Sequence, residues 1–442
     1  MKDKEYVLKM AKERNVKFIR LWFTDILGSL KSVSITANEL DKVIEEGIGF
    51  DGSAIEGFVR IDESDMIAMP DPNTFKMLPW RSKVDGAVAR IFCDIVNPDG
   101  QPYEDDPRWV LRKTLRRAAD MGFTFYVGPE LEYFYFKNAK DAPEGLDEGG
   151  YFDQTPLDIA SDLRRDTVLL LEEMGIEVES SHHEAAPSQH EIDLKYTDAL
   201  TMADNTMTYR VVVKEVAMKY GVYASFMPKP IFGQNGSGMH THQSLFKGSQ
   251  NAFYNKTDEY RLSQTAKGYI AGLLKHAPEI TLVTNQWVNS YKRLVPGYEA
   301  PVYVSWALRN RSDLIRVPSH QPSKEEASRI EYRSPDPACN PYLAFAVMLA
   351  AGLEGIEKGY PLPEPIEQNV FALSEEERSS LGVETLPENL HDAIRLAEKS
   401  ELLKKTLGKH VLEKLIENKE SEWQKFKAQV TQWELEQYFP VL

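Results

Sequence analysis

Two glutamates one residue apart, Glu130 and Glu132, open a β-prone run that continues Tyr-Phe-Tyr-Phe. Side chains alternate faces along a strand, so both carboxylates point the same way. Each raises the other's cost of ionising, and a shared cation removes that cost. A solvated strand face is the plainer alternative, but Phe134 and Phe136 continue the same face. The segment His182-His-Glu184-Ala-Ala-Pro-Ser-Gln-His-Glu191-Ile-Asp193 reads as two short strands about a Pro-Ser turn, a hairpin that brings Glu184 and Glu191 together. It is no zincin helix, because HExxH is missing and Pro187 would break a helix. In Gly233-Gln-Asn235-Gly236-Ser-Gly238-Met-His240-Thr-His242-Gln-Ser244, a glycine turn leads into a strand with His240 and His242 on one face. Such a turn lets backbone N–H groups approach an anion, though it matches neither a P-loop nor a dinucleotide fingerprint. Arg329-Ile-Glu331-Tyr-Arg333 sets Arg, Glu and Arg on one strand face, and Arg293, Arg309, Arg311 and Arg316 lie upstream. Arginine forks bind carboxylate and phosphate through paired hydrogen bonds. Salt bridging to the surplus acids is the plainer alternative.

Glutamates on several strand faces, with one or two histidines, form a hard donor set suited to Mg2+ or Mn2+ rather than zinc. Joined with arginines and a glycine turn, they suggest phosphoryl transfer, where the work is positioning and charge neutralisation. The residues alone point to a metal-dependent phosphoryl-transfer enzyme or ligase and no further.

Several elements must position these groups. Val16 to Ile35 alternates in two runs about the Asp25–Ser29 turn, predicting a β-hairpin. A helix over Thr36–Glu46, a strand over Gly86–Ile95 and the Asn97-Pro98-Asp99-Gly100 turn complete a small β-rich unit. Helices are predicted over Pro107–Met121, Asp162–Met174, Ala199–Tyr220 and Pro341–Lys358, with acidic loop Asp141–Gly150 between the first two. Leu390 to Gln432 is rich in Leu, Lys and Glu at helical spacing. At roughly 100–200 residues per domain, 442 residues suggest two or three domains, or a large one with a smaller attached. The two cysteines, Cys93 and Cys339, support no disulfide framework, so a reducing, cytoplasmic setting is expected. Net charge −16 argues against general nucleic-acid or membrane-surface binding. No signal core is visible, and Tyr342–Leu353 is shorter than the about 20 residues that span a bilayer, so it reads as a buried core helix.

These segments closely resemble prokaryotic type I glutamine synthetase. The matching blocks are Phe50-Asp-Gly-Ser-Ala-Ile-Glu-Gly-Phe, Gly128-Pro-Glu-Leu-Glu, His182 to Glu191, Asn235-Gly-Ser-Gly-Met-His, Asn289-Ser-Tyr-Lys-Arg-Leu-Val-Pro-Gly-Tyr-Glu-Ala-Pro and Asn340-Pro-Tyr-Leu, in the family's order. The resemblance implies an α+β fold: a β-grasp N-terminal domain (1–103), then a catalytic domain (104–442) on a curved, mainly antiparallel sheet with a C-terminal helical segment. It implies ATP-dependent ligation of ammonia to glutamate through γ-glutamyl phosphate, with two or three Mg2+ or Mn2+ per site. One metal would be held by Glu132, Glu184 and Glu191, another by Glu130, His240 and Glu331. ATP would lie near Arg311, Arg316 and His242, with Tyr196 and Ser244 toward the nucleoside. Glutamate would meet Arg293, Arg333, Asn235 and Gly236. Asp51, Tyr151 and Glu184 would form an ammonium pocket. Glu299, on the Lys292–Pro301 flap, would accept a proton, and Arg311 would assist catalysis. Twelve subunits would stack as two hexameric rings, with sites between neighbours.

Ala54 stands where many members carry a second serine, and Phe371 where the adenylylated subclass has tyrosine. The first departure bears on the ammonium pocket; the second removes the hydroxyl that adenylylation needs, and the chain also resembles the shorter, feedback-regulated, non-adenylylated subclass. Arg60 occupies the position of that subclass's glutamine-sensing arginine. 2-Oxoglutarate and small regulatory proteins are further candidate controllers. The rival readings are a γ-glutamyl amine ligase of the same family, against which Asp51 argues, and a non-catalytic homologue, against which the full ligand set argues. A zinc hydrolase fails on ligand type.

Overall fold

The computed structural model describes residues 3–55, 65–81, 86–140, 142–310, 312–319, 321 and 324–442. Arg60 and Arg311 lie outside the described residues.

The N-terminal part pairs helix α1 (Lys4–Glu13) and helix α2 (Leu40–Glu46) with a sheet of strands β1 (Val16–Thr24), β2 (Leu30–Thr36), β3 (Ile48–Asp51), β4 (Asp65–Pro70), β5 (Lys76–Met77) and β6 (Ala87–Val96). The predicted hairpin is β1–β2, in antiparallel register Trp22↔Ser32. Its turn closes because the Asp25 carboxylate accepts from Leu27 N (3.0 Å) and Ser29 N (2.8 Å), an Asx-type turn. The sheet order is β2-β1-β6-β4-β3, with β5 on β6. The central pair β1–β6 is parallel and its flanks antiparallel, which is a β-grasp arrangement. Leu21, Ile91 and Ile95 fill its core.

The larger part builds on β7 (Thr124–Phe136), β8 (Val178–His183), β9 (Gln189–Leu194), β10 (Thr197–Asp198), β11 (Tyr223–Ser225), β12 (Met239–Lys247), β13 (Gln250–Asn251), β14 (Tyr303–Val304), β15 (Trp306–Ala307), β16 (Ile315–Arg316) and β17 (Ile330–Tyr332). The main order is β15-β16-β17-β12-β7-β9-β8. It is antiparallel except for β15–β16. Helices α3 (Pro107–Asp120), α4 (Ser161–Glu173), α5 (Ala199–Lys219), α6 (Gln264–Thr284), α7 (Ser290–Arg293) and α8 (Pro341–Lys358) accompany it.

Helix α8 is the buried core helix that its apolar run predicts. Pro341 sits at its first position, and the Asn340 side chain caps it by accepting from Tyr342 N (3.0 Å). The same side chain donates to the Asp25 carbonyl (3.0 Å), tying the hairpin turn to the larger core. Helical periodicity does not reveal α6, because residues on nearly every side of it are buried and Pro278 lies inside it. A second tie between the two parts is ionic. Arg108 on α3 donates to Asp71 (2.9 Å), to both oxygens of Asp204 (3.1 and 3.0 Å) and to Asp94. Arg112 joins Asp71 and Asp94. The C-terminal helical stretch is interrupted at Ser400 and Gly408, and its last helix, Gln432–Tyr438, leaves Trp433 exposed. Among the described residues, no helix is long and apolar enough to cross a membrane.

Candidate active site

Antiparallel register assembles the acidic residues from distant segments. Across β7–β12, Glu130 faces His240; across β7–β9, Glu132 faces Glu191; across β12–β17, His242 faces Glu331. The parity that puts Glu130 and Glu132 on one face therefore extends over four strands. Glu184 enters just past β8, where Glu184 N donates to Gln189 O (2.8 Å) at the mouth of the β8–β9 hairpin. The result is a cavity of about 280 Å³ lined by Glu130, Glu132, Glu184, Glu191, His240 and Glu331. Asn235, Gly236, Tyr151, Glu299, Arg316 and Arg333 line it as well.

The electrostatics of this cavity divide in two. Burial pushes the Glu331 carboxyl up, but the Arg333 guanidinium together with His242 and His240 outweighs burial and holds it down at about 2. Burial likewise opposes ionisation of Glu130, and hydrogen bonds from His240 and His242 pull it well below the usual range. On the other side, burial followed by repulsion from Glu184 lifts Glu132 to about 8. Burial, then Asp193 and Glu132, push Glu191 well above its ordinary value. His240 Nε2 is buried and has no hydrogen-bond partner. Carboxylates that resist ionisation beside an unpartnered imidazole nitrogen fit a divalent cation, whose charge removes the repulsion. Two ligand groups stand out: Glu130, His242 and Glu331, and His182, Glu184 and Glu191, each with donor atoms within 4.8 Å of one another.

Family models for the glutamine synthetase catalytic domain and β-grasp domain match residues 104–438 and 15–98. The chain belongs to the glutamine synthetase family. It is 55% identical over 442 residues to a glutamine synthetase of Mycolicibacterium smegmatis, with 99% of each chain covered. It is 54% identical to that of Methanosarcina mazei, covering 99% of this chain and 98% of that one. A solved structure of GmaS with ADP matches the whole of both chains at 32% identity and a TM-score of 0.90.

Against the glutamine synthetase expectations, the structure gathers the six expected metal ligands in one cavity. His240 Nδ1 lies 3.4 Å from Glu130 and 3.7 Å from Glu331. His242 stands one step behind: its Nε2–H donates to Glu130 (2.7 Å), and its Nδ1 accepts from Arg329 (3.3 Å). It orients the Glu130 carboxylate. Ser244 faces Tyr126 across the β7–β12 ladder, and Tyr196 stacks edge-on against that same ring, so these two mark a patch farther along the strands. Arg316 and Arg333 both donate to Glu331. Arg293 is not on the cavity wall. Its guanidinium donates to the Ser334 (2.6 Å) and Arg333 (3.1 Å) carbonyls behind the glycine turn. A Cβ at Gly238 would lie 2.5 Å from that guanidinium, and one at Gly236 only 2.3 Å from the Pro228 carbonyl, which explains the glycines. Asp51, at the end of β3, does not line this chain's cavity; its carboxylate accepts from Ser53 N (2.9 Å) and Oγ (2.8 Å).

Two participants escaped the sequence reading. Gln189 donates from Nε2 to Glu132 (2.9 Å) and to the Gly236 carbonyl (3.0 Å), and His182 donates to Glu184 (2.9 Å). Strand parity with Glu191 and Glu184 was the signal for both. A third cluster, Asp147, His183 and His190, also has ligand-type donors. Its chemistry is different. Arg164 donates to His190 Nδ1 (2.8 Å), which leaves the hydrogen of the neutral ring on Nε2, with no lone pair there for a cation. His183 faces Asp147 Oδ1 (3.0 Å) and the Glu184 carbonyl (2.7 Å) with its two nitrogens. Burial opposes its charge, but those hydrogen bonds raise its pKa. Asp147 also accepts from Ser188 N (2.8 Å) and so pins the acidic loop to the hairpin. Asp147→Ala is expected to lower unfolding free energy by about 3 kcal/mol, because it strands a buried cation and a buried N–H. Urea unfolding would measure it, and a loss under about 1 kcal/mol would contradict this reading.

Proposed function

We propose that this chain makes glutamine from glutamate, ammonia and ATP, through γ-glutamyl phosphate. The observation that carries the reading is an acid-lined cavity that also holds Arg316, Arg333, Asn235 and the exposed carboxylate of Glu299. Divalent cations held by Glu132, Glu184 and Glu191 and by Glu130, His240 and Glu331 would supply neutralising charge for phosphate oxygens. Arg333, Asn235 and the Gly236 backbone hold glutamate beside them, and Arg293 braces the turn that carries Asn235. The patch of His242, Ser244 and Tyr196 is where the nucleotide lies. A glutamate γ-oxygen attacks the terminal phosphorus and ADP leaves, while Arg316 and Arg333 face the charge that collects there. Ammonia then attacks the acyl carbon, phosphate departs, and the proton passes to Glu299. Tyr151 and Glu184 supply this chain's share of the ammonium pocket.

Because Asp51 sits away from its own chain's cavity, a neighbouring copy supplies it, which supports the ring assembly, two stacked hexamers of inter-subunit sites, expected of type I members. Phe371 lies in the short turn Val370–Ala372 and offers no hydroxyl for adenylylation. Feedback by glutamine through Arg60 and a cytoplasmic setting complete the reading.

The test is phosphate release from ATP with glutamate and Mg2+, with and without ammonium. Release that requires both substrates and yields glutamine is expected, and Glu299→Ala should cut glutamine formation about 10²- to 10⁴-fold. Release driven by an organic amine and not by ammonium would make the chain an amine ligase instead.

A further inference from the structure

Lys229 is buried, and among the described residues no carboxylate pairs with it. A buried ammonium without a counter-ion calls for an explanation. Its backbone is fixed to the body of the protein: Lys229 N donates to Asn289 Oδ1 (2.7 Å), and Asn289 Nδ2 donates back to Lys229 O (3.0 Å). Its Nζ reaches the other way and bridges two loops that overhang the cavity. It donates to the Gln234 carbonyl, on the turn that carries Asn235. It also lies 3.3 Å from the centroid of the Tyr298 ring, next to Glu299 on the flap. A longer link, Asn235 Nδ2 to Glu299 Oε2 at 3.4 Å, joins the same two loops. A desolvated ammonium on the face of a tyrosine is held strongly, and it loses that partner whenever the flap lifts.

We propose that Lys229 is a positioning residue for the closed flap: by linking the Gln234 carbonyl to the Tyr298 ring, it decides whether ammonia or water takes the acyl phosphate. The proposal rests on the ligase reading above. With the flap down, Glu299 stays over the cavity and water is kept from the intermediate. With the latch gone, a water oxygen bonds to the acyl carbon and the bond to the phosphate oxygen breaks. The water's proton is lost to solvent, and glutamate and phosphate return without glutamine. ATP is then hydrolysed with no product.

The experiment counts phosphate released per glutamine formed over an ammonium series, at saturating glutamate and ATP. Lys229→Met keeps length and removes charge; Tyr298→Leu removes the ring and leaves the lysine. In wild type the ratio should stay near one. In both variants it should rise about threefold or more at limiting ammonium and fall back as ammonium rises, with KM for glutamate changed less than about twofold. Lys229→Arg should restore most of the coupling. A ratio of one in a folded Lys229→Met enzyme, or in Tyr298→Leu, overturns the latch. If Lys229→Met does not fold, Tyr298→Leu decides alone. A wild type that forms no glutamine overturns the ligase reading, and the latch with it.

Discussion

A Glu331→Gln enzyme is expected to lose about 10²- to 10³-fold in kcat, while its fold survives. Glu331 is fully buried and is bonded to Arg316 and Arg333, with His240 at 3.7 Å. Glutamine keeps the volume and one acceptor oxygen for an arginine but removes the negative charge that both arginines and the cation site use. The apparent Mg2+ requirement should rise by at least about 10- to 100-fold, because a ligand has been weakened. Glu331→Ala should differ in kind. It leaves Arg333 buried without its partner, a loss of about 3–5 kcal/mol in stability as well as activity. Steady-state kinetics over a Mg2+ series, beside urea unfolding, would separate the two. If Glu331→Gln kept its kcat to within about threefold, Glu331 would be a structural counter-ion for the arginines and no metal ligand.

Metal affinity should climb with pH up to at least about 8. The metal-free carboxyl of Glu132 titrates near 8, raised by burial and by Glu184, and Glu191 is raised with it. A cation needs both ionised, so binding must expel protons. One proton released gives a slope of about one log unit of affinity per pH unit, and two protons give a steeper one. The sign for stability runs the opposite way in the metal-free protein. A folded-state pKa above the ordinary value contributes stability that is full below about 4.5 and is lost as pH rises through about 8. The metal-free chain should thus melt lower at pH 8.5 than at pH 6, and added Mn2+ should reverse that difference. Calorimetric titration in buffers of different ionisation enthalpy would count the protons. Binding without proton release would place the cation away from Glu132 and Glu191.

Much of the site was legible because strand parity is local. Glu130 with Glu132, His240 with His242, and Arg329 with Glu331 and Arg333 each need only alternation within one strand. The caps of α3 and α8 were legible for a similar reason, since Pro107 and Pro341 mark their own first turns. Which strands meet was not, because the pairings His240↔Glu130 and Glu132↔Glu191 join segments far apart in the chain. Here the family resemblance supplied what periodicity could not. Helix α6 escaped because burial on nearly every side erases amphipathic contrast. Arg293 illustrates what a sequence leaves open: the resemblance implied a glutamate contact, and only the structure shows the nearby carbonyls that hold its fork.

The Arg108–Asp71–Asp94–Asp204 junction adds an ionic fastening to a seam that is also packed by Trp22, Ile26, Leu78 and Phe92. Dissolved salt screens exposed charges within about 10 Å at 0.1 M, but it reaches a buried cluster far less. Warming also lowers the desolvation penalty of charged groups while apolar burial levels off. The β-grasp sheet is therefore fastened by contacts that hold as temperature rises, and Asp51 is carried on that sheet. Heat will tend to blur the loops around the cavity before it shifts the platform that presents Asp51 to a neighbour.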